Sequence, residues 1–319
     1  MGAPGGRPGA GDHSRPPRPH ALRRYGQNHL VDKNILHAII DQAAVGPDDI
    51  VLEVGAAGGL LTRPMLERAR LVHAFEIDRR WLPRLEELAT ADPRLMLHAG
   101  DALKADLGAL DPPPTAVVAN LAYNIAIPLI MTTIAGLPSV RRWAVMVQRE
   151  LGERLFAAPS TKAYAAVSVL TQLACRIEKV RPVPASAFRP QPRVESSFVS
   201  FARRDASGDG SASGAGEAGT AGLAAPCPTD DAAGGAPGPV EYAAVSHLVR
   251  LGFGQRRKTL VNSLGGAAHA GTTLSRDDVR DALRALALGE AARPEELTPP
   301  QWRTFAAELG RHAAEGPAA

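Results

Sequence analysis

Ile50-Val-Leu-Glu-Val-Gly-Ala-Ala-Gly-Gly59 carries the pattern on which the fold turns. Ile50 to Val54 is a short run rich in β-branched residues, the composition of a buried strand. The small residues from Gly55 to Gly59 then make a tight turn in which a ligand can come close to the backbone. A strand that empties into such a turn is the first unit of an alternating α/β fold.

Working outward, the alternation continues. A helix is expected around Leu61 to Ala69, a strand over Leu71 to Ile77, and a helix over Arg79 to Ala89. Strands over Leu95 to His98, Ala116 to Ala119 and Trp143 to Val147 follow, with a helix near Ile125 to Ala135. Upstream, Asp32 is placed to cap a helix over Asn34 to Ala44, where Ile35, Leu36, Ile39 and Ile40 recur at helical spacing. Strands alternating with helices of this length imply a mainly parallel sheet covered on both faces. The β-branched stretch Val167 to Val180 and the run Ser196 to Phe201 read as two more strands, antiparallel and at one edge, giving a mostly parallel seven-stranded sheet. Thr115 to Val140 holds no charged residue, but Asn120, Tyr123, Asn124, Pro128, Gly136 and Pro138 break it into strand, loop and helix rather than a membrane span.

The composition sets the frame. The chain has 319 residues, 45% hydrophobic and 22% charged, with a net charge of +3, values of a globular protein that permit a nucleic-acid partner without requiring one. Gly (31) and Pro (27) are concentrated at the N-terminus and near residues 206–239, where composition cannot supply a core. Residues 1–21 are therefore expected to be a disordered basic tail, 22–203 an α/β domain, 204–240 a flexible Gly/Ala-rich insertion, 241–310 a small helical domain, and 311–319 a tail. Helices are expected at Tyr242 to Leu251, Arg256 to Leu264, Arg276 to Ala287 and Pro300 to Ala307. The two cysteines, Cys175 and Cys227, form neither a disulfide framework nor a metal-ligand spacing, so no metal is expected and a reducing cytoplasm fits best. The N-terminus lacks the apolar segment of a secretory signal.

The strand ends carry the chemistry. Glu76, about twenty residues beyond the small-residue turn, is positioned to accept both ribose hydroxyls of an adenosine cofactor, and Asp101 to read its adenine amine. The turn is not G-x-G-x-x-G, so the pyrophosphate cradle of a nicotinamide site is missing. S-adenosylmethionine has no phosphate to bind, and Gly26-Gln-Asn-His-Leu30, through Asn28, can meet its amino-acid end. The strongest signal is Asn120-Leu-Ala-Tyr-Asn124. An adenine N6 amine is a poor nucleophile because its lone pair is delocalised into the ring. The Asn120 side-chain oxygen and the Leu121 carbonyl can accept its two N–H groups and favour a reactive nitrogen, while Tyr123 stacks on the base. A base must leave its helix to reach such a pocket, and Phe188 is a second aromatic platform for it. Arg23 and Arg24, Arg141 and Arg142, and Arg256, Arg257 and Lys258 are basic clusters suited to RNA phosphate, although each also reads as a solvated face.

Together with Tyr25-Gly-Gln-Asn-His-Leu30, Phe75-Glu-Ile-Asp78, Gly100-Asp-Ala-Leu103, Val147-Gln-Arg-Glu150, Lys162-Ala-Tyr164, Phe188-Arg-Pro-Gln-Pro-Arg193 and Gln255-Arg-Arg-Lys-Thr-Leu260, these motifs resemble the bacterial small-subunit rRNA adenine N6-dimethyltransferases, the family linked to kasugamycin sensitivity. The resemblance runs from about Arg24 to Phe201 and again from Tyr242 to Leu309. It implies a Rossmann-like class I methyltransferase with Asn28, Leu30, Gly55, Glu76, Asp101 and Asn120 around S-adenosylmethionine. It also implies a substrate of two adjacent adenosines in the terminal hairpin of 16S rRNA, within the 30S subunit or its precursor, dimethylated by a cytoplasmic monomer. Three positions depart from the family's pattern: Ala57 where Gly is usual, His29 where Phe is usual, and Ala122 where Pro is usual. Ala122 leaves a free N–H and backbone freedom in the loop that aims the Leu121 carbonyl, which predicts lowered activity. The alternatives are the related 23S rRNA methyltransferases of macrolide resistance, a non-catalytic 30S assembly factor, and a nicotinamide oxidoreductase that shares only the sheet. Glu296-Leu-Thr-Pro-Pro-Gln-Trp302 and the Gln255 motif favour the small-subunit enzymes over the resistance class.

Overall fold

The structure is a computed structural model that describes residues 28–204 and 236–315. The Arg23–Arg24 cluster, Tyr25 to Gln27, the N-terminal tail, Cys227 and nearly all of the 204–240 insertion lie outside the described residues.

A seven-stranded sheet forms the frame. In chain order the elements are β1 (His29–Leu30), α1 (Lys33–Ala43), β2 (Ile50–Val54), α2 (Thr62–Leu66), β3 (Leu71–Glu76), α3 (Leu82–Ala91), β4 (Leu95–Ala99), β5 (Ala116–Asn120), α4 (Ala126–Gly136) and β6 (Arg142–Gln148). They are followed by α5 (Arg149–Leu155), α6 (Ala166–Ala174), β7 (Cys175–Val183), β8 (Phe188–Arg189) and β9 (Ser196–Arg203). The large sheet runs β4-β3-β2-β5-β6-β9-β7, with β9 antiparallel to both its neighbours and the other pairings parallel. The seven strands and their mostly parallel arrangement are those expected from the alternation. Strand order reverses between β2 and β5, so their carboxyl ends, Val54 and Asn120, open the crevice where ligands of such sheets bind. Every residue of β2 is buried, as expected of a central strand with helices on both faces.

Local chemistry explains several boundaries. Asp32 caps α1 by accepting from the N–H groups of Asn34 (2.8 Å) and Ile35 (3.1 Å). Gly55, Ala57 and Gly59 all have positive φ (83°, 46° and 75°), which reverses the chain within five residues of β2. Ala57 holds a left-handed conformation that glycine adopts without steric cost.

One strand was placed too early by its composition. Val167 to Ala174 is helix α6, buried all round, and the strand begins only at Cys175. β-Branched residues there signal burial rather than extended backbone, and a helix apolar on every side belongs inside a core. Arg149–Leu155 and the β1–β8 ribbon carried no periodic signal of their own.

Beyond the insertion lie α7 (Pro239–Gly254), α8 (Leu260–Leu264), the β10–β11 hairpin (Ala268–His269, Thr272–Thr273), α9 (Arg276–Ala285) and α10 (Pro299–Glu315). The expected helix from Arg256 starts only at Leu260, because Thr259 takes an extended N-cap conformation and Arg256 to Lys258 lie in a turn. These helices share one apolar cluster with α4 and α6, in which Trp302, Phe305, Leu248 and Leu170 are all buried. Two tyrosines fasten the contact: Tyr164 donates to the Leu297 carbonyl at 2.8 Å and Tyr242 to that of Leu170 at 3.3 Å.

Candidate active site

The carboxyl ends of β2, β3 and β5 and the β1–β8 ribbon enclose a cavity of about 1190 Å³. Asn28, Leu30, Gly55, Glu76, Asp101, Asn120, Leu121, Tyr123 and Phe188 all border it. Residues scattered over 160 positions of sequence are thus gathered at one sheet edge.

Its floor is the turn after β2. Glu76 accepts from the backbone N–H of Ala57 and of Asp78, each at 2.7 Å, and so ties the small-residue turn to the end of β3. Burial raises the Glu76 carboxyl above its ordinary value, and these two N–H bonds oppose the rise. Deeper in the same wall, Thr62 donates to Glu53 at 2.6 Å, yet burial pushes Glu53 up to about 8. A Cβ built on Gly55 would stand 3.9 Å from the Asn120 carbonyl oxygen, so the absent side chain leaves open the gap between β2 and β5. An open backbone cradle beside a desolvated carboxylate, with a second carboxylate at Asp101, suits a ligand with hydroxyl and amine donors and no phosphate.

The other wall is Asn120 to Ile125. The Asn120 side-chain nitrogen donates to the Asn28 carbonyl at 3.1 Å, and the Leu121 N–H donates to the Met146 carbonyl at 3.0 Å. Among the described residues, no donor is bonded to the Asn120 side-chain oxygen or to the Leu121 carbonyl. The loop closes with Ile125 N–H on the Ala122 carbonyl (3.1 Å), and the N–H of Ala122 bonds to no described residue. The hydrogen that a proline would lack is unused here.

Two expectations are corrected by the packing. Phe188 borders the cavity but is only 1% exposed, paired through β8 with Leu30 and packed among Leu30, Leu36 and Ile39. It is part of the wall and not an open platform; Tyr123, half-buried, is the aromatic ring that faces the space. Arg256 is not a free phosphate ligand either. It pairs with Glu295 at 2.7 Å and donates to the carbonyls of Lys162 and Thr161 at 3.2 Å each, bracing the Lys162-Ala-Tyr164 loop. Arg257 and Lys258 are exposed and lie outside the cavity lining. Sequence reading missed Trp81, which packs on Gly58 (3.0 Å from a Cβ placed there) and edge-on against His29. Only the pairing of a large ring with a glycine far from it in sequence could have signalled it.

A family model for ribosomal RNA adenine dimethylases matches residues 20–212. The chain belongs to that family. Its relatives include the ribosomal RNA small subunit methyltransferase A of Rubrobacter xylanophilus, 39% identical over 285 residues that span 89% of this chain and 93% of that one. The protein of the same name from Ralstonia nicotianae is 36% identical over 247 residues, 77% of this chain and 78% of its own. Among solved structures, a dimethyladenosine transferase from Plasmodium falciparum superposes with a TM-score of 0.67 at 23% identity, covering 88% of this chain and 97% of that one. The 23S rRNA methyltransferase ErmE does so with 0.59 at 24% identity, over 88% and 99%. Both share the fold, which therefore does not choose between RNA targets. As a member of the family the chain is an rRNA adenine methyltransferase with S-adenosylmethionine as methyl donor.

Proposed function

We propose that this chain dimethylates the N6 amines of two adjacent adenosines in the 3′-terminal hairpin of 16S rRNA, within the 30S subunit or its precursor, acting as a cytoplasmic monomer. The observation that carries the reading is the bonding of Asn120. With its nitrogen held by the Asn28 carbonyl, its oxygen is left as an acceptor beside the free carbonyl of Leu121 and the ring of Tyr123.

In this reading Glu76 and Asp101 hold the ribose and adenine of S-adenosylmethionine, and Asn28, Leu30 and Gly55 border its amino-acid end. When bound, the cofactor supplies an electrophilic methyl group on a sulfonium. The chain's own part is to receive the flipped adenine on Tyr123, against the Phe188 wall, and to hold its N6 hydrogens on the Asn120 oxygen and the Leu121 carbonyl. Those two bonds draw the lone pair out of conjugation and fix its direction, so orientation and electrostatics do the work without a strong base. The displaced N6 proton passes to water. In the same reading Arg257 and Lys258, exposed on the 241–310 helical unit beside the 22–203 catalytic unit, would meet RNA phosphate.

The 23S alternative shares the fold, but the relatives at 36–39% identity are small-subunit enzymes by name. Primer extension along 16S rRNA tests the assignment, because N6-dimethyladenosine has no N6 hydrogen for Watson–Crick pairing. Incubating unmethylated 30S particles with enzyme and S-adenosylmethionine should create two neighbouring stops near the 3′ end. An unchanged 16S trace would overturn the target.

A further inference from the structure

The cavity is larger than the roughly 300–1,000 Å³ usual for one small-molecule site, and part of its rim has no role in the reading of the cofactor and target-base sites given above. That part comes from the start of α1 and the start of α2: Val31, His37, Leu60 and Arg63. Val31 and Leu60 are 41% and 39% exposed, two of six large apolar side chains so exposed among the described residues. Arg63 is exposed, and its guanidinium makes no hydrogen bond or ion pair with any described residue. Glu67 also borders the cavity and carries the opposite charge, and the cavity's other two arginines are engaged, Arg84 with the Gly58 carbonyl at 3.1 Å and Arg189 with its own strand's Phe188 carbonyl at 2.9 Å.

We infer that Val31, Leu60, His37 and Arg63 form a subsite for the nucleotide next to the target adenosine, and this rests on the reading of the Asn120–Tyr123 pocket as the target-base site. An apolar pair offers a face on which a splayed base can lie, and an unpaired guanidinium takes the phosphate joining it to the target. A nucleotide is the fitting occupant because the spot is continuous with the base pocket and presents one cation and one apolar face, the two chemistries of a nucleotide. His37, exposed, borders the same cavity and can add a stacking ring. The subsite would act before chemistry, fixing how deeply the flipped adenosine enters.

The test is steady-state methylation of unmethylated 30S particles by Arg63→Glu, Arg63→Lys and Leu60→Asp, with S-adenosylmethionine affinity measured separately by calorimetry. Arg63→Glu should raise KM for 30S at least about tenfold and lower the slope of log KM against log salt by about one, with cofactor affinity within about twofold of wild type. Arg63→Lys should recover most of the loss, and Leu60→Asp, which removes the apolar face and sets a carboxylate beside the phosphate, should also raise KM. Unchanged KM and salt slope in Arg63→Glu, with wild-type enzyme active, would overturn the subsite and leave the target-base reading standing. Absence of transfer by wild type would instead remove the reading on which the subsite rests.

Discussion

Asn120 and Asn28, 92 positions apart, are joined by one hydrogen bond of 3.1 Å from side-chain nitrogen to backbone carbonyl. The bond fixes which end of the amide faces the cavity, so a single residue both orients the segment at Asn28 and presents an acceptor. Asn120→Ala should lower methyl transfer by about 10²–10³-fold, the loss usual when a positioned polar group is removed from a reacting centre. S-adenosylmethionine affinity should weaken as well, since the Asn28 segment loses its anchor; labelled-methyl transfer and calorimetry separate the two. Transfer within threefold of wild type would contradict the role.

Glu53 gives a pH dependence. Burial raises its carboxyl from 4.5 to about 8, so the folded chain holds a proton that the unfolded chain has released. The associated stability is fully present below pH 4.5 and is lost as pH rises from there through about 8. Glu53→Gln keeps an acceptor for Thr62 and removes the titration. The variant should therefore gain on wild type as pH rises from 5 to 8, by up to on the order of a few kcal/mol. Thermal melts of the cofactor-free protein at several pH values check this, and a difference that does not change with pH would refute it.

Arg256 separates structure from RNA contact. Its bonds to Glu295, Thr161 and Lys162 predict that Arg256→Ala destabilises the fold by about 1 kcal/mol, near the upper end for a partly exposed pair, while leaving KM for RNA within twofold. Arg257→Ala and Lys258→Ala should do the reverse, changing KM and its salt slope without moving the melting temperature. The two sets of measurements on the same three variants decide the assignment.

Ala57 stands at φ +46° between two glycines that share its handedness. Ala57→Gly removes a left-handed strain of about 1–2 kcal/mol and adds some freedom to the unfolded chain, so a net gain of up to about 1 kcal/mol is expected. Denaturant unfolding measures it; a loss of stability would show that the Ala57 methyl group contributes packing that outweighs the strain.

These cases also show what the sequence could reveal. The alternation from Ile50 to Val147 gave the sheet because buried parallel strands are continuous apolar runs bounded by turns. The residues at its carboxyl ends were legible for the same reason: Glu76 and Asn120 end such runs, and Asp101 follows one after a single glycine. Val167 to Ala174 was not legible, since a helix buried on all sides and a buried strand share a composition. Phe188 and Arg256 were misread for a different cause. An aromatic or a cation in a Pro- or Arg-rich loop has the right chemistry for RNA, but its availability depends on partners such as Leu30 and Glu295, which only the tertiary structure supplies.

The central claim is tested most directly by offering unmethylated 30S subunits and 50S subunits in competition, with labelled S-adenosylmethionine, and identifying the modified nucleoside by mass spectrometry. Label appearing as N6-dimethyladenosine in 16S rRNA is the predicted result. Label confined to 23S rRNA, or binding of 30S without any label, would contradict the account.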